Sequence, residues 1–159
     1  MIKSRKYIFG AATFLWMLSL YGFSAETGTV SGGKSKEIAA FIEKIFAKIS
    51  AGCFSYDKSA VIFEISHIIR KSAHVAGFML LGMLVFFLIE SISEKKKKLL
   101  PIVFTVLYAM ADEFHQSLVP GRGPSVNDVG IDSCGAILGV MLAFLLLSHL
   151  RKNIRELKF

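Results

Sequence analysis

Long apolar stretches separated by short polar segments make up most of this chain of 159 residues. Four of them reach, or can be extended to, the ~20 helical residues that cross a hydrocarbon core about 30 Å thick. We therefore expect an all-α integral membrane bundle of four transmembrane helices, at residues 7–25, 72–92, 99–119 and 130–150. A cleaved signal peptide is the alternative for the first stretch. A retained anchor is favoured because Phe23 is bulky where a signal peptidase requires a small residue.

The third and fourth stretches carry ionisable residues inside the predicted membrane. Residues 99–111 are uncharged but too short to cross, so the third span has to continue past Asp112, Glu113 and His115. The fourth stretch contains Asp132 near its start. Charged groups inside a bilayer are costly unless they are paired or hydrated, so these residues indicate a functional, water-accessible site.

The connection between the first two spans predicts further helices. After a turn-rich segment at 27–34, apolar residues recur at helical spacing, which predicts an amphipathic helix on the membrane surface. Its apolar face comprises Ile38, Phe41, Ile42, Ile45, Phe46 and Ile49. Its polar face comprises Lys36, Glu37, Glu43, Lys44 and Lys48. A second helical run at 59–69 leads directly into the second span.

The composition agrees with a membrane protein, since 53% of the residues are hydrophobic, 19% are charged and the mean hydropathy is +0.56. These values exclude the disordered and fibrous classes. The net charge of +7 would indicate nucleic acid only if it formed a patch on a soluble domain. The cysteines, Cys53 and Cys134, leave pairing open, and two inert thiols are the default.

Most cations lie in three segments that four crossings place on one side of the bilayer. The positive-inside rule makes that side, with both termini, cytoplasmic. The expected partner of these cations is therefore the lipid bilayer, not nucleic acid. They are Lys3, Arg5, Lys6, Lys95, Lys96, Lys97, Lys98, Arg151, Lys152, Arg155 and Lys158.

Helical spacing gathers the polar residues at the outward ends of three spans. Arg70 and His74 are four residues apart, Asp112 and Gln116 likewise, and Asp128 precedes Asp132 by one turn. We predict a single outward-facing pocket there. Its predicted ligand-binding residues are Lys71, His74, Asp112, Glu113, Gln116, Arg122, Asp128 and Asp132.

The alternative to a functional pocket is a set of ion pairs that only holds the bundle together. In that interpretation Ser125 and Asp128 form a capping box that starts the fourth span. For Ser125 alone, capping is favoured. Gly135 and Gly139 form a Gly-x-x-x-Gly pair, which predicts close helix packing. For the acids together with Arg122 and His74, a functional, water-accessible pocket is favoured over purely structural pairing.

These motifs together resemble the VanZ family of multi-pass bacterial membrane proteins. The resemblance covers residues 23–142 and is most specific in the Asp-Glu-x-His-Gln and Pro-Gly-Arg block. The residues that carry it are Phe23, Ser24, Lys71, His74, Asp112, Glu113, His115, Gln116, Val119, Pro120, Gly121, Arg122, Ser125, Asp128, Val129, Asp132 and Gly135. The chain departs from the family at Glu26, Phe78 and Asp132, where Gln, Tyr and Asn are the expected residues.

The resemblance implies a single VanZ-like membrane domain over 1–159, located in the bacterial cell membrane. The type member of the family is linked with low-level resistance to the glycopeptide teicoplanin. With the mixed-charge cluster that faces the cell wall, it favours a non-enzymatic accessory factor in the cell envelope over an enzyme. The ligand of its pocket would be a cell-wall precursor, a lipid headgroup or the glycopeptide itself, held by Arg122 and Lys71.

Two other classes of function stay open. A membrane-embedded hydrolase or transferase could act on a lipid-linked phosphate or ester, with His74 or Glu113 as catalytic base. No cofactor is expected for the accessory role, and the enzyme could use a divalent metal. Weak metal candidates are His74, Asp112, His115 and Asp128. A small transporter would have to oligomerise to enclose a path, and the oligomeric state is not readable from the sequence.

Overall fold

The computed structural model describes residues 2–49, 56–92, 99–123 and 125–156. Every regular element in these ranges is a helix, which confirms the all-α class. The five helices are α1 (Ile2–Ser24), α2 (Gly28–Ile49), α3 (Lys58–Ile92), α4 (Leu99–Ser117) and α5 (Val126–Glu156). Cys53, the Lys95–Lys98 run and Lys158 lie outside the described residues, so the predictions that rest on them are not tested. Cys134 is exposed.

Three helices in the described part of the chain are long and apolar enough to cross a membrane. The qualifying segments are Ser4–Ser24, Lys58–Glu90 and Val126–Glu156. The fourth predicted span corresponds to α4, which is shorter and ends in Asp112, Glu113, His115 and Gln116. These polar residues lower its hydropathy, so length and composition alone support three spans rather than the expected four.

Of two predictions for the connection between the first two spans, one is confirmed and one is wrong. The run at 59–69 continues without interruption into the second apolar stretch as α3, as expected. The turn-rich segment predicted at 27–34 is wrong, because α2 already begins at Gly28 and the Thr27 carbonyl accepts a hydrogen bond from the Ser31 amide at 3.0 Å. The Gly28 amide donates to the Pro120 carbonyl at 3.3 Å, so a tertiary contact holds the start of this helix.

The four helices other than α2 alternate in direction. Phe9, near the start of α1, lies beside the end of α3, since its ring stacks on the Phe87 ring at a centroid distance of 5.3 Å. Further along, the Trp16 indole donates to the Gly77 carbonyl at 2.9 Å, so α1 and α3 are antiparallel. The Tyr108 hydroxyl donates to the Met17 carbonyl at 2.7 Å. The start of α1 and the end of α3 therefore lie at one end of the bundle, and the end of α5 lies there too, since Arg151 pairs with Glu90.

The closest helix pair is α3 with α5, and glycines make the approach feasible. A Cβ atom on Gly139 would lie 1.9 Å from the Met79 carbonyl oxygen, and one on Gly135 would lie 2.5 Å from the Val75 carbonyl oxygen. The predicted packing role of both glycines is confirmed. Because backbones in contact allow no side chain between them, substitution at either position has to push α3 and α5 apart.

Helix α3 contacts each of the other four helices and is the centre of the core. The fully buried side chains include Phe78, Leu81 and Phe86 of α3. They pack with Leu20 of α1 and Ala109 of α4, among others. Many large apolar side chains on the other faces are exposed, as expected for helices surrounded by lipid.

Helix α2 packs against α3 through a face that the sequence did not single out. Its buried residues are Ser35, Ala39 and Glu43. The predicted apolar face, from Ile38 to Ile49, is exposed. The solvated position predicted for Glu43 is therefore wrong: its carboxylate accepts a hydrogen bond from the Tyr56 hydroxyl at 2.8 Å. Small residues on the inner face let α2 approach α3, which leaves the bulky stripe free to contact lipid.

Candidate functional site

Asp112 is the buried centre of a hydrogen-bond network between α1 and α4. Its Oδ2 accepts hydrogen bonds from the Ser24 hydroxyl at 2.8 Å and from the Gln116 amide at 2.9 Å. Only 5% of Asp112 is exposed, so this carboxylate depends on the two donors for solvation. The network fixes the end of α1 against the end of α4.

Arg122 reaches this network from the loop that follows α4. Gly121 precedes it with a φ of 77°, a left-handed conformation that suits glycine and turns the chain back over the bundle. Arg122 Nη1 donates to Gln116 Oε1 at 2.9 Å, and Nη2 donates to the Phe23 carbonyl at 3.4 Å. Burial, and after it the positive charge of Arg70, lower the pKa of the Arg122 guanidinium.

The guanidinium of Arg122 is not saturated by protein groups. Its Nε is buried without a hydrogen-bond partner in the described part of the chain. Both acceptors of its other nitrogens are neutral oxygens, and none of the ion pairs among the described residues includes Arg122. A buried donor without an acceptor is unfavourable, so the Nε of the half-buried Arg122 favours an incoming hydrogen-bond acceptor such as an anion oxygen.

Glu113 and Ser125 join α4 to the start of α5. The Ser125 amide donates to Glu113 Oε1 at 2.6 Å, and the Ser125 hydroxyl accepts from the Asp128 amide at 3.3 Å. The predicted capping box is therefore only half formed. Asp128 does not return the bond to the Ser125 amide, because its carboxylate pairs with Lys71 at 2.8 Å.

His74 and Asp132 lie across from each other on α3 and α5. The distance from His74 Nδ1 to Asp132 Oδ2 is 3.7 Å, and Nδ1 has no hydrogen-bond partner among the described residues. The Asp132 side chain is almost fully buried, with 4% exposed. Both groups are therefore close enough to share a small ligand but do not satisfy each other.

The structure groups a different set of metal-ligating residues from the one predicted. One ligand atom from each of His74, Asp112 and Asp132 lies within 4.8 Å of the others. His115, a predicted member, stacks on the Tyr21 ring at 4.3 Å instead. Asp128, another, is paired with Lys71. Helical spacing placed His115 and Asp128 at the same depth as the other candidates. It could not determine the direction in which their side chains point around the helix axis.

A polar cavity of about 150 Å³ opens at this end of the bundle. We call it the polar pocket. Seven of the eight predicted ligand-binding residues line it, and Asp112 lies beside it through its bond to Gln116. The seven are Lys71, His74, Glu113, Gln116, Arg122, Asp128 and Asp132. Geometry thus brings the predicted set together, and their role in ligand binding stays a prediction.

Two residues of this region were not among the predicted site residues. Ser24 donates directly to Asp112, and the only sequence signal for it was its place in the family motif. Arg70 lines the polar pocket, and its spacing of four residues from His74 was a signal that could have included it. No ion pair among the described residues involves Arg70, so it is a second cation beside the pocket with no carboxylate partner.

Comparison with known proteins identifies the family of this chain. The family model described as VanZ/LLP1 matches residues 9–147, which include α2, α3 and α4, most of α1 and α5, and every residue of the polar pocket. Searches of curated proteins and of solved structures returned no significant match.

Proposed function

Because this chain belongs to the VanZ/LLP1 family, we propose that it is a multi-pass protein of the bacterial cell membrane. In this proposal α1, α3, α4 and α5 cross the bilayer, and α2 lies at the outer surface with its apolar stripe in the lipid. The alternating helix directions support four crossings. The basic residues at the shared end of α1 and α5 support cytoplasmic termini. They include Arg5, Lys6, Arg151, Lys152 and Arg155.

We further propose that the polar pocket faces the cell exterior and binds the anionic group of a cell-envelope molecule. The protein then acts as a non-enzymatic accessory factor that influences susceptibility to glycopeptides such as teicoplanin. The single observation that carries this proposal is the presence of two guanidinium groups, those of Arg70 and Arg122, at one cavity without a carboxylate partner in the described residues. Guanidinium groups bind phosphate and carboxylate through two parallel hydrogen bonds.

The test measures anion binding to the purified full chain in nanodiscs of phosphatidylcholine. The probes are glycerol 3-phosphate, acetate and, in separate nanodiscs, phosphatidylglycerol. Arg122→Ala is expected to weaken binding of the preferred anion about 30-fold, since a hydrogen bond to a charged group contributes about 2 kcal/mol. Arg155→Ala, at the other end of α5, is the matched control and leaves binding unchanged.

The same two variants are compared for teicoplanin susceptibility in cells that hold the protein at equal abundance. Arg122→Ala is expected to match cells without the protein, and Arg155→Ala is expected to match the parent. The proposal is wrong if none of the three anions binds, or if both variants bind and protect equally.

A second candidate function rests on a specific observation, the clustering of His74, Asp112 and Asp132. Three protein ligands with an open fourth position are typical of catalytic zinc sites. The protein would then be a metal-dependent hydrolase or transferase that acts on a lipid-linked phosphate or ester, with metal-activated water as nucleophile. Metal analysis of protein purified without chelators tests it. One equivalent of zinc that is lost in Asp132→Asn would favour this candidate, and metal-free parent protein would exclude it.

A further inference from the structure

An apolar groove adjoins the polar pocket. Its volume is about 570 Å³, and it lies between α1, α2 and α3. Its apolar wall includes Trp16 and Leu20 of α1, Ile38 of α2, and Ile69 and Leu80 of α3. We call this cavity the groove.

The groove and the polar pocket share three residues, Arg70, His74 and Arg122. The apolar groove therefore meets the polar pocket at two guanidinium groups and an imidazole. The remaining charged residues of the groove, Glu26 and Lys34, form an ion pair with each other, and neither Arg70 nor Arg122 is in an ion pair among the described residues.

The dimensions of the groove match one leaflet of a membrane. From Ile69 to Leu80 it follows α3 for eleven residues, which is about 16 Å at the helical rise. Half of a hydrocarbon core is about 15 Å. A chain that lies in the groove with its head at Arg70 and Arg122 would therefore be placed at the depth that it has in a bilayer.

We propose that the ligand is a membrane lipid with an anionic phosphate headgroup, whose hydrocarbon chain lies in the groove while its phosphate is held by Arg70 and Arg122. This inference rests on the proposed anion site and names the class of ligand. Charge complementarity selects the headgroup, because two guanidinium groups that form no ion pair among the described residues favour a net negative lipid over a zwitterionic one. The apolar wall selects a lipid over a soluble phosphate, because burial of a hydrocarbon chain adds free energy that a free headgroup lacks.

The experiment compares three probes with the purified full chain in detergent by native mass spectrometry and by titration. The probes are phosphatidylglycerol, phosphatidylcholine of the same chain length and glycerol 3-phosphate. Phosphatidylglycerol is expected to bind at least tenfold more tightly than either of the others. Equal binding of phosphatidylglycerol and glycerol 3-phosphate would overturn the inference and leave the anion site standing. If none of the anionic probes binds, the proposed function fails together with the inference.

Groove-filling variants test the position of the chain. Ala76 and Ala73 line the groove and are exposed, so Ala76→Phe places a ring in the space that the hydrocarbon would occupy. Ala76→Phe is expected to weaken phosphatidylglycerol binding at least tenfold and to change glycerol 3-phosphate binding less than twofold. The matched control is Ser72→Phe, an exposed position on the same helix that lines neither cavity.

Thermal melting of each variant in detergent reports folding, and Ala73→Phe replaces Ala76→Phe if the latter melts well below the parent. The inference is overturned if the folded groove variant and Ser72→Phe bind the lipid equally. It is also overturned if the native mass shows a lipid-free dimer that Ala76→Phe converts to a monomer and Ser72→Phe does not, because a second copy then covers the groove.

Discussion

The two ends of this bundle handle buried charge in opposite ways. At the end where α3 and α5 finish, which we call the far end, the buried Glu90 pairs with Arg151. At the pocket end, about 24 Å away along α3 from Glu90 to His74, three carboxylates and three cations line the cavity, and Asp112 lies beside it. These seven groups pair incompletely. His74 Nδ1 and Arg122 Nε are buried there without partners in the described residues.

This difference separates a structural use of charge from a ligand-directed one. The same chain closes one end with an ion pair between neighbouring helices, so the fold is able to satisfy buried charges. Polar groups that stay unsatisfied in a native protein call for a specific explanation, such as a ligand or water that completes them. The unsatisfied groups at the pocket end therefore support a binding role more strongly than the mere presence of charge does.

The largest expected effect comes from the close packing of α3 against α5, on which both ends of the bundle depend. Gly139→Leu places a side chain where a Cβ alone would lie 1.9 Å from the Met79 carbonyl oxygen. We expect a loss of about 3 kcal/mol in stability and loss of anion binding, because α3 and α5 must separate. The control is Gly130→Leu, since a Cβ there meets nothing within 4 Å. Thermal unfolding in detergent measures both, and an equal loss in the two variants would contradict the packing.

Breaking the ion pair at the far end should affect stability and not binding. Arg151→Ala leaves Glu90 buried without this partner, and we expect a loss of about 1 to 3 kcal/mol, less than for a fully buried pair because 40% of the Arg151 side chain is exposed. Anion affinity should stay within twofold of the parent. Arg122→Ala should show the reverse pattern. The contrast between the two ends fails if Arg151→Ala weakens binding as much as Arg122→Ala does.

Asp112→Asn tests whether the ligand of the polar pocket is an anion or a metal ion. The amide keeps an acceptor for the Ser24 hydroxyl but removes a negative charge beside the pocket. If the ligand is an anion, its affinity should rise about fivefold, which corresponds to about 1 kcal/mol of relieved repulsion. Binding assays with glycerol 3-phosphate and phosphatidylglycerol measure the change. A weaker affinity, accompanied by loss of bound zinc, would instead favour the metal-dependent candidate.

The smallest expected effect concerns the start of α3, where Asp57 caps the helix. The Ser59 hydroxyl and, after it, the Ala60 and Ser59 amides donate to the Asp57 carboxylate and lower its pKa below the ordinary range of an aspartate. A carboxyl with a lowered folded-state pKa stabilises the protein above its unfolded pKa, and the stabilisation is lost as pH falls through the folded pKa. Asp57→Ala should therefore melt below the parent at pH 7, with a difference that shrinks as the pH falls below the unfolded pKa of about 4 and through the lower folded pKa. A difference that stays constant with pH would show that Asp57 does not act through its charge.

Sequence reasoning located the pocket through the periodicity of helices. The spacing of His74, Asp112 and Asp132 within their spans predicted polar groups at a common depth, and the structure brings them within one cluster. Depth follows from chain position because each helical residue advances the chain by a constant rise. Rotation about the helix axis does not follow from it, which is why His115 was expected beside the metal candidates and stacks on Tyr21 instead.

The sequence by itself determined the all-helical class, the apolar spans and the family, because hydropathy and local motifs need no knowledge of neighbours. Only the tertiary structure decided that Glu43 packs inward, that Asp128 pairs with Lys71 and that Arg70 and Arg122 border both cavities. These outcomes depend on which helix faces lie against each other. Those faces are determined where two helices approach most closely, as α3 and α5 do at Gly135 and Gly139. Such contacts join residues that are far apart in the chain.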